Sequence, residues 1–87
     1  MALTFPNLSR SFDATRRAVR FWGYDGAMEF SFFVTEDALK RVAPGMRCDS
    51  AGILSTFDNN RDVICRTAVK VFARGRRGSY DVVADDF

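Results

Sequence analysis

The sequence predicts an α+β fold: an antiparallel sheet of three or four strands that starts with a β-hairpin, with two to three helices packed on one face. Three observations predict it. The Asp25-Gly26 pair divides two stretches of alternating apolar residues, the pattern of a hairpin. From Thr35 onward come helix-period segments set apart by capping and breaking residues. A last alternating stretch, SYDVVA at residues 79–84, closes the chain. The order strand, strand, helix, helix, helix, strand belongs to a sheet with its helices segregated to one side.

Residues 1–14 read as an irregular entry segment to a single domain spanning 1–87. Within it, Leu3-Thr4-Phe5 is a candidate short edge strand stopped by Pro6, and Pro6-Asn7 and residues 9–11 are rich in turn formers. Residues 17–34 are the clearest element. With Asp25 and Gly26 as the two central residues of a type I′ turn, Tyr24 faces Ala27, Trp22 faces Glu29 and Arg20 faces Ser31. Val19, Phe21, Met28, Phe30 and Phe32 then share one wholly apolar face, with Gly23 between them. That is the core face, because strand side chains alternate with period two. Arg20, Trp22, Tyr24, Ala27, Glu29, Ser31 and Phe33 fall on the other.

A helix starts at Thr35, whose hydroxyl is a cap. Glu36 and Asp37 complement its positive first turn and Lys40 and Arg41 its last, and Pro44-Gly45 end it. A second helix follows Asp49 or Ser50 with Ile53, Leu54 and Phe57 inward, and Asp58-Asn59-Asn60 breaks it. A longer helix runs to about Arg74, stopped by Gly75. At 100° per residue Ile64, Cys65, Ala68, Val71 and Phe72 share its inner face. Asp62 and Arg66 are spaced as an i,i+4 ion pair.

Composition excludes several chemistries. The chain has 87 residues and a net charge of +2, too small to argue for nucleic acid by itself. It contains no histidine, which removes Ser-His and Cys-His nucleophiles, histidine bases and the usual zinc sites. Two cysteines alone cannot close a structural zinc site, and no cofactor or metal is expected. There is no apolar run of the roughly 18 residues a membrane span needs, nor a basic-then-apolar leader. The expected location is cytoplasmic, with Cys48 and Cys65 as free thiols.

The candidate sites are sets of side chains. Arg20, Trp22, Tyr24 and Phe33 on the outer hairpin face form a platform for a partner, or are rings that the N-terminal segment or a second copy covers. Arg66, Lys70, Arg74, Arg76 and Arg77 follow one helix face into a loop. They are a candidate phosphate track, or a solvated face complementing the helix dipole. Arg16 and Arg17 with Asp13 read as a local ion pair at the entry to the first strand, or as a phosphate clamp. Arg61, on an inward stripe, reads as an arginine tying its helix to a carboxylate or to strand carbonyls, or as a site arginine. Cys65 reads as a small core residue and Cys48 as a candidate reactive thiol. Asp81, Asp85 and Asp86 read as a solvated tail.

The run SFDATRRAVRFWGYDGAMEFSFFVTEDAL, with FDNNRDVI further on and a closing Tyr-x-Val-x-x-x-Asp-Phe, resembles small bacterial proteins of domain-of-unknown-function family 1488. The resemblance covers nearly the whole chain and is strongest over residues 11–39. It implies a compact cytosolic α+β domain and supplies no catalytic residues. The reading is therefore a small non-catalytic domain that acts by protein–protein contact or homodimerisation. The alternative is nucleic-acid binding through the helix from about Asn60 to Arg74 and the Arg76-Arg77 loop.

Overall fold

The computed structural model describes residues 3–75 and 77–87. A hairpin of β2 (Ala18–Asp25) and β3 (Met28–Thr35) forms the middle of a four-stranded sheet. Asp25 pairs with Met28, so the two central turn residues are Gly26 and Ala27 rather than Asp25 and Gly26. Gly26 has φ of +62° and Ala27 does not need a positive φ; glycine at the first central position is the type II′ requirement. Relative to the expected register every partner slides by two residues. Glu29 faces Tyr24 instead of Trp22, Ser31 faces Trp22, and Phe33 faces Arg20. A slide of two leaves each side chain on its own face, so the division into core and outer faces stands.

The entry segment is more ordered than its composition suggests. Ser11–Asp13 forms β1, antiparallel to residues 18–20 of β2. The turn between them holds Arg17 at φ +50°. Further toward the N-terminus Thr4 bridges to Tyr24 through two backbone bonds of 2.8 and 2.9 Å. The segment thus borders both ends of the free edge of β2, placing Leu3 and Phe5 on the core side. There Phe5 and Leu3 lie directly over Gly23: an added Cβ would sit 2.8 Å from the Phe5 ring and 3.2 Å from Leu3. Gly23 is the notch that receives Phe5. Arg10 clamps the segment to Asp58 with two bonds of 2.9 and 2.8 Å, and Arg61 donates to the Leu8 carbonyl at 2.8 Å. Arg61 therefore ties its helix to a loop carbonyl, not to a carboxylate or a strand, while its guanidinium stacks 4.8 Å from the Phe57 ring.

Thr35 caps α1 (Glu36–Val42) by accepting from the Ala38 amide, and Asp49 caps α2 (Ser50–Asn59) by accepting from the Gly52 amide. After α3 (Arg61–Ala73) the chain re-enters the sheet as β4 (Ser79–Val82), parallel to β3. Within an otherwise antiparallel sheet this is the natural outcome of a connection that carries three helices across one face: it returns to the end where β3 began. The terminal acids are not a solvated tail throughout. The chain folds into a short 3-10 turn (Ala84–Asp86) in which the side chain of half-buried Asp86 is turned out of solvent, bonded to Arg74 at 2.7 Å and to the Val83 amide at 2.9 Å.

The core lies between the inner sheet face and the helices. Val19, Phe21, Phe30, Phe32, Val34, Tyr80 and Val82 meet Leu39, Ile53, Phe57, Ile64, Ala68 and Val71. Phe21 packs on Phe57 at 5.1 Å, Phe30 on Phe72 at 4.9 Å, and Phe32 stacks on Tyr80 at 5.1 Å. Each such side chain removed from water contributes roughly 1.5–3 kcal/mol. Met28 is an exception to the expected core face, 55% exposed: it pairs with Asp25 at the turn, beyond the reach of the helices. Cys65 and Phe72 are half-buried at the margin, and Thr67 is buried with its hydroxyl donating to the Val63 carbonyl. Asp62 and Arg66 do not form the expected ion pair. Among the described residues no helix is long and apolar enough to cross a membrane.

Candidate functional site

All three helices pack against the inner face, so the outer face of the sheet is where side chains from different elements meet without a covering layer. The register makes it a grid. One cross-strand row is Arg20, Phe33 and Asp81; the next is Trp22, Ser31 and Ser79; the third is Tyr24 and Glu29. The platform residues expected from the sequence thus share this face, but they differ in exposure. Arg20 is exposed, Trp22 and Tyr24 are half-buried, and Phe33 is buried at 7%.

Arginines, not the N-terminal segment, cover Phe33. Arg16, from the β1–β2 turn, places its guanidinium 4.1 Å from the ring centre, and Arg20 lies 5.7 Å from it and 5.1 Å from the Trp22 ring. A cation over an aromatic face is attracted by the ring quadrupole. Arg16 is steered there by two carboxylates, Asp13 at 3.9 Å and Asp81 at 3.7 Å. Arg20 donates to the Ser31 hydroxyl at 3.0 Å. Arg17 diverges to Glu36, next to which Lys40 also pairs at 3.3 Å. These contacts, Arg17 foremost, hold the Glu36 carboxyl below its usual range.

At the far end of the face the Tyr24 hydroxyl donates to Glu29, and Asn7 approaches the same hydroxyl at 3.4 Å. The bond to Glu29 raises the phenol above its ordinary pKa, since ionising Tyr24 would set two anions side by side.

Arg16, Arg20, Ser31, Phe33, Ser79, Asp81 and Arg77 line one open concavity on this face. Arg77 belongs, in the sequence, to the basic set continuing α3. The structure separates that set: Arg66 and Lys70 are exposed on α3, Arg74 is bonded to Asp86, and Arg77 joins the sheet face. Arg76 lies outside the described residues. Sequence reasoning missed Arg16, Arg77 and the paired Ser31 and Ser79 as neighbours. The signal was the parallel return of β4, which alone sets Ser79 beside Ser31. Cys48 is exposed and Cys65 half-buried; burial pushes the Cys65 thiol up.

The chain belongs to the family described as protein of unknown function (DUF1488), whose model matches residues 3–83. It is similar to the crystal structure of a protein of unknown function from the DUF1488 family from Shewanella loihica PV-4. The TM-score is 0.79 at 20% identity, over 92% of this chain and 90% of that one. At that identity the likeness is one of fold. No curated protein matches the chain.

Proposed function

We propose that this domain is a non-catalytic binding module that self-associates through the outer face of its sheet. The observation that carries the reading is the grid itself: half-buried Trp22 and Tyr24, buried Phe33, and Arg16 and Arg20 over the rings, on the face away from every helix. A row of aromatics and arginines is what interface centres are enriched in.

A second copy is the occupant that the charge pattern favours. Arg16 and Arg20 stand at one end of the β2–β3 face and Glu29 at the other, with Trp22 and Ser31 in the row between. Two faces related by a two-fold axis across that middle row would bring the basic end of each over the acidic end of the other. Such an arrangement is self-complementary, as an isologous interface must be. Two eight-residue strands and their neighbours offer an area on the order of 400 Å² per copy at about 3.4 Å per residue and about 4.8 Å between strands. That is below the roughly 800 Å² per partner of a standard interface, so the dimer is weak and concentration-dependent.

The orientation is tested by exchanging charges. Arg20→Glu and Glu29→Arg each weaken the dimer, measured by size-exclusion chromatography with light scattering, and the two together in one chain restore it. A dimer indifferent to both single changes, or a double variant no better than either single one, overturns this arrangement.

A further inference from the structure

We infer that the concavity between β2, β3 and the start of β4 is a binding site for a tetrahedral oxyanion, a phosphate group above all. Three arginines line it from three separate segments: Arg16 from the β1–β2 turn, Arg20 from β2, and Arg77 from the loop before β4. The two carboxylates that line it, Asp13 and Asp81, both pair with Arg16. Arg20 and Arg77 form no ion pair with any described residue. Two of the three lining arginines are thus left without a paired carboxylate.

Between them lie two hydroxyls. Ser31 and Ser79 are directly paired across β3 and β4 and so project on the same side. Ser31 already accepts from Arg20, which leaves its own proton to donate outward, and Ser79 is exposed. A carboxylate offers two coplanar oxygens and is served by one guanidinium fork. Donors arriving from several directions are better matched by a group with three or four oxygens around one centre. Glu29 of a second copy and a small oxyanion would compete for these arginines, so the site is best measured on the monomer.

The experiment titrates inorganic phosphate into the full chain carrying Trp22→Ala, diluted to its monomeric range and held at constant ionic strength with chloride. Amide chemical shifts are followed by NMR. Saturable shifts centred on Arg20, Ser31 and Ser79 are expected, with acetate binding at least tenfold more weakly. Arg77→Gln and Arg20→Gln should each weaken phosphate about tenfold, the loss of one charge-assisted contact. Arg77→Gln carries the test if Arg20→Gln unfolds, because it leaves the Arg77 amide bond to the Tyr80 hydroxyl in place. Linear, unsaturable shifts, equal binding of acetate, or binding unchanged in Arg77→Gln overturns the site. Since the titration is done on monomer, its failure leaves self-association standing, and failure of self-association leaves the site standing.

Discussion

The guanidinium of Arg16 lies 4.1 Å from the centre of the Phe33 ring, covering the one aromatic ring of the outer sheet face that is buried. Phe33 has no helix above it, yet it is 7% exposed. A turn residue thus does locally what a covering layer does elsewhere.

Arg16→Ala should therefore uncover the ring and cost about 0.5–1 kcal/mol, the range of a solvent-accessible cation–π contact. Arg16→Lys should recover part of it. Urea unfolding of the three proteins checks this, and an Arg16→Ala midpoint equal to wild type would contradict it.

Gly23 and Phe5 make a second testable pair. Gly23→Ala drives a methyl to 2.8 Å from the Phe5 ring, and overpacking of this kind costs roughly 1–3 kcal/mol. In a Phe5→Ala background, already less stable, the same change should cost clearly less. A double-mutant cycle with no coupling would mean that the entry segment does not pack there.

The Tyr24 phenol should titrate above its ordinary value of about 10, and Glu29→Gln should bring it down. NMR of labelled tyrosine follows this directly. Because the folded pKa is raised, the stability contributed by the bond to Glu29 is full below the ordinary pKa and is lost as pH rises through the higher folded one.

Glu36 has the opposite sign. Its carboxyl is held low by Arg17 and then Lys40, so its contribution is present above the ordinary carboxylate pKa of about 4.3 and is lost as pH falls through the lower folded value. Acid unfolding of Glu36→Gln should show a shallower loss of stability in that window than wild type.

The faces of the hairpin were legible because a period of two survives any even slide in register: Phe21, Phe30 and Phe32 are inside and Trp22 and Tyr24 outside in either pairing. The register was not, since an Asp-Gly pair serves as the centre of one turn or the start of another. Helix ends were legible because caps act locally, as Thr35 and Asp49 do. The direction of β4 and the position of the entry segment were not, because long-range pairing and a single bridge at Thr4 decide them. The same blindness hid the site: Arg16, Ser31, Ser79 and Arg77 are scattered in the chain and become neighbours only through the sheet.

If the outer face joins two copies, Trp22 lies near the two-fold axis. Sedimentation velocity over a wide concentration range tests it most directly. Wild type should shift from monomer to dimer with concentration, while Trp22→Ala, equally folded by circular dichroism, should weaken the dimer at least tenfold. A chain that stays monomeric throughout, or a dimer that Trp22→Ala leaves unchanged, would contradict the account.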